Sequence, residues 1–267
     1  MTRIEYKFKQ LRAANRKAFI AFITAGYPDL AVTEKLVREF DRIGVDIVEL
    51  GVPFTDPMAD GPVIQEASQE ALKKGAHLED ILRLVKRVRP RVNLPIALMT
   101  YYNPVFCFGE GKFIARAIAC GVDGVIIPDL PPDEGAAFLR CARRRGLDVI
   151  CFLSPTSTPQ RARYIARVSR GFIYYVSLTG VTGARQALPP GLRENLAAVR
   201  RIVNKPVCVG FGISTSEQVR QVQAISSGVI IGSAIVKKIK ENIGRMDLAK
   251  RVAVFVQGLM GERCTKK

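Results

Sequence analysis

Two carboxylates in the stretch Asp46 to Gln65, DIVELGVPFTDPMADGPVIQ, have the type and spacing for acid–base chemistry. Glu49 lies near the end of a short apolar run, Asp46 to Leu50, that reads as a buried strand. An ionised side chain there is costly without a partner or a task. The loop that follows holds Gly51, Pro53, Pro57, Gly61 and Pro62, which continue neither strand nor helix periodicity and fix an irregular path carrying Asp56 and Asp60. A carboxylate at a strand end and another on the next loop can face one pocket. The bland alternative makes Glu49 a satisfied strand end and Asp60 a turn former.

The elements that must position this pair alternate along the chain. An amphipathic basic opening helix precedes an apolar run from Ala18, and a helix from Leu30 then leads to the DIVEL strand. Two helical stretches, 63–74 and 78–89, precede the strand IALMT. YYNPVFCFGEG reads as a loop before the helix KFIARAIACG and the strand GVIIP. DLPPDEG is a loop and AAFLRCARRRG a helix, followed by the strand LDVICFL. The next helix has Thr158 as cap before Pro159, and FIYYVSL is a strand. The loop TGVTGARQALPPG is long and rich in small residues, which suits a lid over a site. A helix over 192–203, the strand PVCVGFG, a helix over 214–225 and the strand GVIIG bring the strands to eight. Parallel strands joined by helical crossovers in that number close into a (β/α)8 TIM barrel, α/β in class, with an extra N-terminal helix and additional short helices, as one domain over 1–267. The rival, an open doubly wound sheet, favours a glycine-rich dinucleotide loop after the first strand, where TAGYPD offers only Gly26.

In such a barrel the site lies at the C-terminal strand ends, often with a phosphate held after strands seven and eight. Gly210 and Gly212 after strand seven, Gly232 and Ser233 after strand eight, and Gly183 in the long loop suit close backbone approach to a phosphate and the N-termini of helices. No lysine stands at an inner strand end for a Schiff base, since Lys205 precedes strand seven, which leaves carboxylate acid–base chemistry. The residues alone leave isomerase, aldolase-type lyase and synthase open.

Composition narrows the remaining classes. No apolar run approaches the roughly 20 residues that cross a bilayer, and the basic N-terminus lacks a signal-peptide core, so a cytoplasmic location is expected. The six cysteines, Cys107, Cys120, Cys141, Cys151, Cys208 and Cys264, are scattered without metal or redox spacing and read mostly as buried thiols. His77 reads as a helix cap or surface residue, and no metal site is expected. The formal net charge of +17 would attract polyanions. Yet the basic residues Arg83, Lys86, Arg87, Arg89 and Arg91, and Arg140 and Arg143 to Arg145, fall at helical spacing and read as solvated outer faces without a nucleic-acid module.

Taken together, FITAGYPD, DIVELGVPFTDPMADGPVIQ, MTYYNPVF, IPDLPPDE, GVTGAR, VGFGIS and IGSAIV resemble the tryptophan synthase alpha chain family from end to end. The resemblance implies a carbon–carbon lyase of L-tryptophan biosynthesis that cleaves indole-3-glycerol phosphate to indole and glyceraldehyde 3-phosphate by a retro-aldol step, without a cofactor of its own. It implies Glu49 as the acid–base group and Asp60 as the anion at the indole N–H. Phosphate contacts would fall on Gly183, Gly212, Gly232 and Ser233, and the indole slot on Phe22, Ile64, Tyr101, Tyr174 and Phe211, although Phe22 and Ile64 read equally well as ordinary core. The family pairs with a beta chain carrying pyridoxal phosphate in an alpha2beta2 complex. Contacts to that chain would fall on Pro53, Asp56, Pro57, Asn103, Phe106, Asp129 and Pro131. A free-standing indole-producing lyase and a non-catalytic activator of the beta chain are the alternatives. Two features depart from the family: Leu178 and Thr179 stand where many relatives carry arginine and alanine, and the charge is far from a mildly acidic balance.

Overall fold

The structure, a computed structural model, describes residues 1–176, 189–210 and 212–261. Gly183, Phe211, Leu178, Thr179 and Cys264 lie outside the described residues. In chain order the elements are α1 (Arg3–Ala13), β1 (Ala18–Thr24), α2 (Leu30–Arg42), β2 (Ile47–Gly51), α3 (Pro62–Lys73), α4 (Leu78–Val88), β3 (Ile96–Met99), α5 (Tyr102–Phe108), α6 (Glu110–Cys120), β4 (Gly124–Ile126), α7 (Ala136–Arg145), β5 (Asp148–Leu153), α8 (Pro159–Val168), β6 (Ile173–Val176), α9 (Leu192–Ile202), β7 (Val207–Gly210), α10 (Ser216–Ile225), β8 (Gly228–Ile231), α11 (Ser233–Lys240) and α12 (Leu248–Met260). The eight strands pair in sequence order, and β8 returns to β1 in parallel to close the barrel. The expected (β/α)8 architecture is therefore the one observed.

Alternation along each strand divides the core into two layers. Ala18, Ile20, Ile47, Ala97, Ile126, Ile150, Cys208 and Ile230 fill the barrel interior. The intervening residues, such as Phe19, Val48, Leu50 and Val125, pack against the helices. Interior packing is completed at the N-terminal end by α1, whose Ile4, Phe8 and Leu11 belong to the same interior cluster. Gly124 makes room for this plug, because a Cβ there would stand 2.8 Å from the Ile4 side chain. Ile4→Ala is expected to cost about 2–5 kcal/mol. Urea unfolding measures it, and a loss below about 1 kcal/mol would show that α1 does not complete the core.

Three aspartates hold this N-terminal face. Asp46 accepts the Phe19 N–H at 2.9 Å. Asp123 pairs with Arg3 and Arg89 at 3.0 Å each. Asp148 accepts the Thr2 hydroxyl at 2.6 Å and faces Arg170 at 3.4 Å. Burial pushes the Asp148 carboxyl up to about 6, against the pull of Thr2 and Arg170.

Four local expectations change. The YYNPVFCF segment is helical (α5) rather than a loop, because Pro104 falls in the first turn, where its missing N–H breaks no helical bond. From a neighbouring loop, Asp129 caps that turn by accepting the Tyr102 N–H at 2.8 Å. Helix α10 begins at Ser216 rather than Ser214, since Thr215 and Gln218 form a capping box and Gln218 takes the Ser214 and Thr215 N–H groups. Arg89 is not on a solvated face, its side chain being only 13% exposed in its pairing with Asp123. Finally, α12 lies beyond the expected alternation and packs against α2, α10 and α11, with Val252 and Val256 fully buried. Cys120, Cys151 and Cys208 are buried, whereas Cys107 is exposed. Among the described residues no helix is long and apolar enough to cross a membrane.

Candidate active site

Strand β2 carries Glu49 inward. Its neighbours Ile47 on the same face and Phe22 across the β1 pairing belong to the interior and the barrel mouth. Glu49 is 0% exposed, and neither carboxylate oxygen has a hydrogen-bond partner among the described residues. The contrast with Asp46, Asp123 and Asp148 is informative. Buried carboxylates at the N-terminal face are tied to N–H groups, a hydroxyl or arginines, whereas the one at the C-terminal half of β2 is left bare. A bare buried carboxylate costs several kcal/mol if ionised and holds its proton instead. Burial, with a contribution from the nearby Asp60 charge, pushes Glu49 up to about 8.

Asp60 sits on the loop between β2 and α3. The Tyr101 hydroxyl donates to Asp60 Oδ2 at 3.0 Å and accepts the Ala59 N–H at 2.9 Å, while the Tyr101 ring stacks on Phe54. Gln65 holds the Asp60 carbonyl at 2.9 Å, and Ser68 bonds both backbone groups of Phe54. The loop thus reaches its irregular path through side chains of β3's end and α3. Burial raises Asp60 to about 6, opposed by the Tyr101 hydrogen bond. Near pH 7 the pair therefore stands as a protonated Glu49 beside an ionised Asp60. Two carboxyls whose environments separate their pKa values are equipped for an acid and an anion role.

Above them lies a cavity of about 500 Å³. Of the residues singled out in the sequence, Phe22, Asp60, Ile64, Tyr174, Gly212, Gly232, Ser233 and Pro131 line it. Gly210 lines it as well, and its lack of a side chain is required, since a Cβ would stand 2.6 Å from the Tyr174 ring. Gly51 does the same for Phe22, at 2.6 Å from Cζ. Gly51→Ala is accordingly expected to displace Phe22 and cost about 1–3 kcal/mol. Thermal melting and KM for the substrate would both register it, and an unchanged KM would remove Phe22 from the slot.

The geometry departs from the sequence reading at several positions. Tyr101 is not among the lining residues; it stands behind Asp60 as its hydrogen-bond donor. Glu49 is also absent from the lining, fully covered in this arrangement. Pro53 and Pro57 are buried within the chain and present no open surface, whereas Asp56, Asn103, Asp129 and Pro131 are exposed and Phe106 is 66% exposed. Phe152, whose ring meets Tyr174 at 4.6 Å, together with Met99 and Arg161, lines the cavity without having been singled out. Strand parity could have found Phe152, but LDVICFL contains no polar alternation to set it.

Comparison with known proteins decides the family. The model of the tryptophan synthase alpha chain matches residues 8–262. The chain belongs to the tryptophan synthase alpha chain family. The alpha chain of Geobacter sulfurreducens is 53% identical over 259 residues, covering 97% of this chain and 98% of that protein. The alpha chain of Geotalea uraniireducens is 49% identical over the same length, covering 97% of each. The crystal structure of tryptophan synthase subunit alpha from Legionella pneumophila str. Paris superposes with a TM-score of 0.90 at 35% identity, covering 97% of both chains. The reaction of the tryptophan synthase alpha chain is the lyase half-reaction, cleavage of indole-3-glycerol phosphate in tryptophan biosynthesis.

Proposed function

We propose that Glu49 moves both protons of this cleavage and that Asp60 holds the indole nitrogen. The observation that carries the proposal is the bare, fully buried Glu49 carboxyl raised to about 8 beside Asp60 at about 6. Protonated Glu49 delivers its proton to indole C3, which breaks the ring's aromaticity and leaves positive charge on the nitrogen side. Ionised Asp60 accepts the N–H there and stabilises that charge as it develops, a gain realised in the transition state and not in the ground state. Glu49, now a carboxylate, takes the proton of the glycerol hydroxyl adjacent to the scissile bond. The C–C bond breaks, its electron pair restores the indole ring, the hydroxyl carbon becomes the aldehyde of glyceraldehyde 3-phosphate, and Glu49 ends protonated as it began.

Binding is assigned to the part of the cavity bounded by β1, α3, β6 and the loops after β7 and β8. Phe22, Ile64 and Tyr174 form apolar walls for a flat ring, and Phe211 is assigned there from sequence. The phosphate is assigned to Gly212, Gly232 and Ser233, where the first turn of α11 supplies unpaired N–H groups and its positive end, with Gly183 as a further contact. Tyr101 fixes the Asp60 carboxyl.

The partner is a beta chain, as the family implies, in an alpha2beta2 assembly. Phe106 and Met58, each exposed and each on a segment that follows the C-terminal end of a strand, with Asn103 and Asp56 exposed on the same segments and Asp129 on the loop after β4, are the residues assigned to that contact. No cofactor is assigned to this chain, and pyridoxal phosphate is assigned to the beta chain. Consistent with that, no lysine stands at the C-terminal end of a barrel strand among the described residues. Cytoplasmic location follows the same reading. Steady-state release of indole from indole-3-glycerol phosphate, with and without the beta chain, is the test. Turnover that rises with the beta chain supports the reading. No turnover in either condition overturns it, and full turnover alone would make the chain a free-standing lyase.

A further inference from the structure

The cavity touches both faces of β5. Ile150 and Phe152 point into the barrel, whereas Val149, Cys151 and Leu153 point outward toward the helices, yet all five line the same continuous space. Pro128 and Ser154 mark where it passes over the strand ends. Leu139 of α7 and Ile165 of α8 line it behind the strand. All five apolar residues that line it behind the strand are buried, Val149 and Cys151 at 6% exposure, Leu139 at 8%, and Leu153 and Ile165 at 1% and 2%, so the lobe is enclosed and not an open groove. The helix–sheet layer, normally packed as densely as an organic crystal, holds this space at β5.

We propose that this rear lobe is a binding site for a small neutral aromatic molecule of one or two fused rings, separate from the catalytic slot. Its walls are aliphatic apart from the Cys151 sulfur, a polarizable atom suited to contact with a ring. An apolar cavity of this kind stays dry and takes an apolar guest. The polar groups at its neck do not ask for a charged ligand. Ser154 already bonds Thr156 at 2.8 Å and Ser157 at 3.2 Å, and Arg161 is paired with Asp133. The site depends on none of the roles given to Glu49 and Asp60.

Equilibrium dialysis of the full chain against indole tests it. Two indoles per chain are expected, and one when the catalytic slot is blocked by an uncleavable indole-alkyl phosphate. Cys151→Phe and Leu139→Phe, which fill the lobe from opposite walls, are expected to lose only the site that survives the blocker, with cleavage within about twofold of wild type and a cooperative melt confirming the fold. One indole per chain in the wild type, or two retained in either folded variant, would overturn the proposal. The wild type gives a second reading that needs no variant. With the blocker present, indole should slow modification of Cys151 by methyl methanethiosulfonate several-fold, with fully buried Cys208 as the unreactive control, and an unchanged rate would overturn the proposal.

Discussion

Glu49→Gln is expected to lower kcat for indole release by about 10²–10⁴-fold, the range that a positioned acid–base group supplies, while leaving the affinity for an uncleavable indole-alkyl phosphate within about threefold. Glutamine keeps the shape of the side chain and resembles the neutral form in which Glu49 rests, but it neither gives nor takes a proton. The apolar walls at Phe22, Ile64 and Tyr174 and the phosphate site at Gly212, Gly232 and Ser233 do not include Glu49, so those contacts survive the change. Strong residual turnover would place the proton carrier elsewhere. The same variant has a stability signature. The folded-state value of Glu49 is raised from 4.5 to about 8, so the folded chain keeps a proton that the unfolded chain releases. Wild-type stability therefore falls, relative to Glu49→Gln, as pH rises from about 4.5 to about 8, and the gap then stays constant; its slope is at most about 1.4 kcal/mol per pH unit. Urea midpoints at pH 5 and pH 9 would measure the gap, and parallel midpoints would show that Glu49 is not buried as a neutral acid.

Asp60→Asn is expected to lower kcat by about 10²–10³-fold, the usual cost of removing one group placed where charge develops. The amide oxygen can still accept from the Tyr101 hydroxyl, so the loop keeps its path and the loss is that of the charge. A change confined to KM would mean that Asp60 contributes equally to ground and transition states, contrary to its role at the ring nitrogen. Removing the negative charge also relieves Glu49, whose pKa Asp60 helps to raise, so the alkaline limit of the variant should move down.

The barrel was legible because each strand is a short apolar run bounded by glycine or proline, and the runs alternate with helical periodicity. Glu49 was legible for the complementary reason, as a charge on such a run. Less visible was what the opposite face does with its own buried charges. Asp123 and Asp148 look as anomalous in sequence as Glu49, and only the arrival of Arg3, Arg89, Thr2 and Arg170 from distant positions separates carboxyls that have a partner on at least one oxygen from the one with none among the described residues. Tyr101 could be assigned to the pocket but not to its side of Asp60, since that depends on how the 52–61 loop folds over β3. Helix α5 was hidden by Pro104 and its seven-residue length, and the opening behind β5 depends on how two helices sit against one strand, which no local pattern encodes.

The pH dependence of kcat/KM for indole release, compared between wild type and Asp60→Asn, tests most directly whether a protonated Glu49 and an ionised Asp60 form the working pair. The wild type should give a bell with limits near pH 6 and pH 8, falling on the acid side as Asp60 takes a proton and on the alkaline side as Glu49 loses one. In Asp60→Asn the acid limb should vanish while an alkaline limb remains. A wild-type profile still rising through pH 9, or an acid limb unchanged in Asp60→Asn, would contradict the assignment.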